Sequence, residues 1–133
     1  MVEYLNIDGE LIRQLVVPIV GDGACLFRAI SYLIYGTQEM SIEVRKSIVR
    51  YVSDNWDNYS VISHDRNGDN YSTSAEYIAE MLQPSTYGSL CELLAAGQIF
   101  NFVFEVYENG VFYTTSGIEG RPIKRLKFST VRS

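Results

Sequence analysis

The sequence predicts an α/β domain of the α+β kind, a small mixed or antiparallel β-sheet packed against several helices. Three observations predict it. Apolar residues recur at helical spacing from Leu26 to about Leu94. Past Gly97 the period changes to alternation, with Phe100, Phe102, Phe104 and Val106 falling on one face. Asn109-Gly110 then gives a strong hairpin turn between two such runs. Helices first and strands afterwards, with hairpins, indicate a sheet with helices laid upon it.

Each element has its own reason. Residues 1–14 read as an N-terminal lead-in, and Leu15 to Val20, interrupted by Pro18, as an extended continuation, because proline biases its predecessor away from helical angles. Leu26, Phe27, Ile30, Leu33 and Ile34 mark a helix, with Gly36 as its stop. A second helix is expected from Ser41 to about Trp56: Ser41 suits the cap, Glu43 the first turn, and Val44, Ile48, Val52 and Trp56 follow at four-residue steps. From Asn58 to Ser72 the chain turns polar around Asn67-Gly68, which predicts a mobile loop.

Thr73-Ser74-Ala75-Glu76 matches a capping box, in which hydroxyl and carboxylate satisfy two orphan backbone donors. Tyr77, Ile78, Met81 and Leu82 give the helix that follows one apolar side, and Pro84 ends it. Gly88 to Ala96 reads as a further helix closed by Gly97. Ile99 to Tyr107, Val111 to Thr115 and a run containing Leu126 and Phe128 are the expected strands.

Composition bounds the function. The 133 residues are expected to form one domain, large enough to bury a core without disulfides. A net charge of −5 argues against a phosphate-backbone partner, whose binding is driven by clustered Lys and Arg. No apolar run approaches the ~20 residues needed to span a membrane, and MVEYLNIDGEL lacks the basic start and apolar stretch of a signal peptide. The expected setting is therefore cytoplasmic, or the cytoplasm of a host, with no nucleic-acid or membrane partner and a monomeric state. Cys25 and Cys91 are expected as free thiols. With His64 they are too dispersed for a metal site, so no cofactor is expected.

Chemistry concentrates in Gly21-Asp22-Gly23-Ala24-Cys25-Leu26-Phe27-Arg28-Ala29. Two glycines allow a tight loop, and the cysteine falls at the first turn of a helix. There the helix dipole and unpaired amides favour thiolate over thiol. The backbone amides of Asp22, Gly23 and Cys25 are positioned to stabilise an oxyanion. A buried structural cysteine behind an Asp-Gly turn is the plainer alternative, because a nucleophilic thiol also needs a base.

The segment GDGACLFRAISYLIYG resembles the nucleophile segment of ovarian-tumour (OTU) family cysteine proteases, or deubiquitinases, with Ala24 where asparagine is commoner. YGTQEMSIEVRKSIVRYVSDNWDNY is similar to the family's next helix. The resemblance continues through Tyr77-Ile78 with Met81, Tyr87-Gly88, Glu92-Leu93, Phe104-Glu105-Val106-Tyr107 and Pro122-Ile123 with Leu126 to Phe128, covering about residues 15 to 129 in order. It implies an OTU-like fold and a thiol isopeptidase acting on ubiquitin, polyubiquitin or a ubiquitin-like protein, with Cys25 as nucleophile and Asp22 beside it. Alternatives are a catalytically impaired or dead ubiquitin-binding module and a polyprotein-processing cysteine protease.

The resemblance also implies a catalytic histidine after the last strand. The sequence there reads Phe128-Ser129-Thr130-Val131-Arg132-Ser133, so the chain is expected to stop just short of that histidine, with a pseudoenzyme as the competing account. His64, in SHDRNG, is expected to be a solvated loop residue, and Cys91, among Leu90, Leu93 and Leu94, a core residue. Arg28 is given no role.

Overall fold

A computed structural model describes residues 2–19 and 21–128. In chain order it contains β1 (Val2–Ile7), β2 (Glu10–Leu15), α1 (Cys25–Tyr35), α2 (Ser41–Asp54), α3 (Trp56–Tyr59), α4 (Ser74–Met81), α5 (Leu90–Ile99), β3 (Val103–Glu108), β4 (Val111–Ser116) and β5 (Ile123–Phe128). Short 3-10 turns at Gln38–Met40 and Ser60–Ile62 complete the set. Residues 129–133, which follow the last strand, lie outside the described residues, as does Val20.

The helices and the later strands share one core. Phe27 and Ile30 of α1, Val44, Ile48 and Val52 of α2, Tyr77 and Met81 of α4, Cys91, Ala95 and Ala96 of α5, and Phe104 and Val106 of β3 are all buried in it. Burying a large apolar side chain contributes about 1.5–3 kcal/mol, so the four-residue spacing of α2 and the alternation of β3 are what tie these elements together. The sheet has the order β4-β3-β5, antiparallel between β3 and β4 and parallel between β3 and β5. This is the expected mixed sheet with helices on it. Asn109 (φ 51°) and Gly110 (φ 83°) make the tight turn between β3 and β4, both in the left-handed region that such a hairpin requires.

Several details differ from the expectations. Residues 2–15 form an antiparallel hairpin rather than a simple lead-in, turning at Asp8-Gly9 with both residues at positive φ. Ser41 does not cap α2: it is the first helical residue, and the approach is ordered by Ser31, whose hydroxyl donates to the Thr37 carbonyl and accepts from the Met40 amide. Gly97 does not stop α5, which runs on to Ile99, so β3 begins only at Val103. A Cβ on Gly97 would lie 2.1 Å from Ser116 Oγ, so the glycine is there to let α5 touch β4.

The stretch expected as a mobile loop is largely fastened. It contains the end of α3 and a 3-10 turn, Ser63 and Tyr71 are buried, and Ser63 Oγ accepts the Tyr71 amide at 3.2 Å. Asp65 Oδ1 gathers the amides of Asn67 and Asp69 at 2.8 and 3.0 Å.

Candidate active site

Cys25 opens α1, with Ala24 as the residue before the first turn. Asp22 shapes the loop that delivers it. Its Oδ1 accepts the Ala24 amide at 3.0 Å, and Arg28, one turn into α1, reaches back with Nε at 3.2 Å to Oδ1 and Nη2 at 3.1 Å to Oδ2. This bidentate pair closes a ring that includes Cys25. The Arg28 guanidinium and the Ala24 amide hold the Asp22 carboxyl below its ordinary value, against a smaller opposing effect of desolvation. Cys25 itself donates its amide to the Asp22 carbonyl at 3.1 Å.

Glycine is needed at position 23 for a different reason. A Cβ there would lie 2.0 Å from the Ser85 carbonyl oxygen, so the loop leading to Cys25 rests directly on the segment joining α4 to α5. That segment is tied down at both ends by buried charges. Arg45 of α2 donates to the carbonyls of Met81, Pro84 and Thr86. Glu92 of α5 accepts the Ser89 amide at 2.8 Å and the Tyr77 hydroxyl at 2.8 Å.

The cysteine is partly exposed and faces a cleft of about 1030 Å³. One wall is the extended stretch 16–19, another is Tyr87–Leu90, and the underside of the N-terminal hairpin closes a third side through Glu3, Leu5 and Gln14. Exposed apolar side chains crowd the lining: Leu15, Tyr87, Leu90, Tyr113 and Phe128. Lys127 of β5 pairs with Glu3 across the cleft, fastening the hairpin to the sheet.

The expected site residues separate clearly. Cys25 lines the cleft, whereas Asp22 and Gly23, in the loop leading to it, are not among the lining residues. His64 is exposed in the loop after Ser63 and is not among the lining residues. Cys91 is fully buried, and desolvation together with neighbouring Glu92 pushes its thiol well above the ordinary range, as suits a core cysteine. Among the described residues no cluster of three metal-ligating side chains occurs, and no helix is long and apolar enough to cross a membrane.

Sequence reasoning missed two residues. Arg28 gave a faint signal, since a basic residue six positions after an acidic one spans a loop and one helical turn. Arg45 gave none, because a basic residue beside Lys46 on a helix reads as a solvated face.

Comparison with known proteins gives a consistent answer. The family model described as OTU-like cysteine protease matches residues 20–127. OTU domain-containing protein 5-A of Xenopus laevis is 33% identical over 110 residues, covering 77% of this chain and 20% of that protein. OTU domain-containing protein 1 of Homo sapiens is 35% identical over 83 residues, covering 62% of this chain and 16% of that protein. The chain thus spans about a fifth or less of the curated relatives it matches. Among solved structures, the OTUD1 OTU domain superposes with a TM-score of 0.69 at 28% identity, covering 84% of this chain and 77% of that domain. The viral OTU domain protease from Qalyub virus shares the fold, with a TM-score of 0.62 at 23% identity over 84% of this chain and 74% of the viral one.

Proposed function

This chain belongs to the OTU-like cysteine protease family, and from that premise we propose that it is a thiol isopeptidase whose substrate is ubiquitin joined through its C-terminal glycine to a lysine. The observation that carries the reading is the placement of Cys25, at the first residue of α1 and on the wall of an apolar cleft. The cleft suits an extended, largely apolar tail laid toward the sulfur.

In this reading the Cys25 sulfur attacks the isopeptide carbonyl carbon and forms a tetrahedral oxyanion. The C–N bond then breaks, the lysine amine leaves with the proton given up by the Cys25 thiol, and water hydrolyses the thioester to the free ubiquitin C-terminal carboxylate and the thiol. Backbone amides of Asp22, Gly23 and Cys25 hold the oxyanion. The Cys25 amide shares its proton with the Asp22 carbonyl it already meets, as bifurcated amides at helix ends commonly do. Asp22 acts by ordering the loop, since its carboxylate is engaged by Ala24 and Arg28. A ubiquitin-like protein with a similar tail would fit the same cleft.

One observation favours a second reading, a ubiquitin-binding module without turnover. His64 is the sole histidine of the sequence, and it does not line the cleft. The two readings separate in an assay of fluorophore release from a ubiquitin C-terminal amide, with saturable ubiquitin binding measured in parallel. Release that disappears in Cys25→Ala supports the isopeptidase. Binding without release supports the module, and absence of both overturns ubiquitin as the ligand.

A further inference from the structure

We propose that Arg45 is a positioning residue for Cys25: its buried guanidinium locks the nucleophile loop to the α4–α5 segment and fixes the peptide plane that precedes the cysteine. The inference rests on Cys25 being the nucleophile.

The geometry is specific. Arg45 is only 3% exposed. Its Nη1 donates to the carbonyls of Met81 and Thr86 at 2.9 and 2.8 Å, and its Nη2 to those of Pro84 and Gly23 at 3.0 and 3.3 Å. The guanidinium carbon lies 4.0 Å from the centre of the Phe27 ring, on the inward face of α1. No carboxylate lies within ion-pair distance of Arg45 among the described residues; Asp22 and Glu92 act on it only at longer range.

A buried cation compensated mainly by backbone carbonyls is a costly way to fill space, and an apolar side chain would serve packing better. What the guanidinium supplies instead is direction, because its rigid fork sets the planes of several peptides at once. One of these is the Gly23–Ala24 peptide. Its carbonyl points to Arg45, while its N–H points to Asp22 Oδ1 at 3.0 Å, and Asp22 is in turn held by Arg28. The peptide is therefore pinned from both sides, one residue before Cys25. Gly23 lies hard against Ser85, whose neighbours Pro84 and Thr86 are held by the same guanidinium, so loop and support form one joint.

The test compares Cys25 reactivity in the unaltered chain, Arg45→Lys, Gly23→Ala and Arg45→Ala, each shown to be folded by its thermal melt. Iodoacetamide labelling, read by intact mass, reports the thiol without reference to any protein substrate. Buried Cys91 stays silent. In parallel, adduct formation with ubiquitin bearing a thiol-reactive C-terminus gives a maximal rate and a half-saturating concentration.

Arg45→Lys keeps the charge and loses the fork. It is expected to slow labelling about threefold or more and the maximal adduct rate about tenfold or more, with the half-saturating concentration unchanged. Gly23→Ala, which disturbs the joint with Arg45 intact, is expected to match it. Millimolar guanidinium is expected to restore Arg45→Ala, and ammonium is not.

Unaltered labelling in folded Arg45→Lys would overturn the proposal, as would a loss confined to the half-saturating concentration. Should Arg45→Ala fail to fold, the lysine variant decides. A chain whose Cys25 takes iodoacetamide but never ubiquitin would overturn the proposed substrate alone, and the labelling comparison would still judge Arg45.

Discussion

Asp22 and Arg28 hold each other across the first turn of α1, and their pairing sets a pH window. The folded Asp22 carboxyl is held below its ordinary value by Arg28. Its contribution is therefore fully present above the unfolded value near pH 4 and is lost as pH falls through the lower folded value. Arg28→Ala is accordingly expected to lower the melting temperature at neutral pH, with the difference shrinking below about pH 3. An equal difference at both pH values would contradict the pairing. Asp22 and Cys25 stood out in the sequence through the resemblance of GDGACLFRA to a known nucleophile segment, since an Asp-Gly turn before a helix start leaves a structural cysteine equally open. Arg45 was not, because its partners Met81, Pro84 and Thr86 are distant in the chain and are met through backbone atoms that have no sequence signature.

The contact between α5 and β4 is close because small residues face it. Gly97 lies against Ser116 and Gly117, and Ser116 Oγ donates to the Leu93 carbonyl at 2.9 Å. Gly97→Ala is expected to destabilise the fold by about 1–3 kcal/mol through overpacking, measured by urea denaturation; a neutral result would mean that α5 can shift away at little cost. On the facing side of α5, Tyr77→Phe would strip the hydroxyl from buried Glu92, with an expected loss of about 1.5–3 kcal/mol for a bond to a charged group.

The sequence spoke unevenly about such elements. Helical spacing in α1 and α2 and alternation in β3 reflect burial and were readable. Gly97 was not, because a glycine that ends a helix and one that lets a strand approach look alike. The hairpin of β1 and β2 was readable in principle from Asp8-Gly9, and it was hidden because its apolar residues do not mark a buried face: Val2, Tyr4, Leu11 and Leu15 are exposed.

Across the molecule, the helices and the three-stranded sheet share a core to which the N-terminal hairpin does not belong. The hairpin lies over the cleft with Glu3 paired to Lys127. Two strands alone are marginal in water, so removing residues 2–15 is expected to leave a cooperative melt within a few degrees of the original. A large loss would show that the hairpin belongs to the core after all. The cleft is assembled from both ends of the sequence, from hairpin, helix start and last strand together. This is why its shape was not legible from any single segment, whereas the segment carrying Cys25 stood out on its own.

Everything functional turns on whether Cys25 receives the C-terminus of ubiquitin. The direct measurement is tandem mass spectrometry of the chain after reaction with ubiquitin carrying a thiol-reactive C-terminus. A single adduct mapped to Cys25, absent from Cys25→Ala and absent when the chain is first denatured, is the expected result. An adduct on another residue, or none on a folded chain whose Cys25 still takes iodoacetamide, would contradict the account.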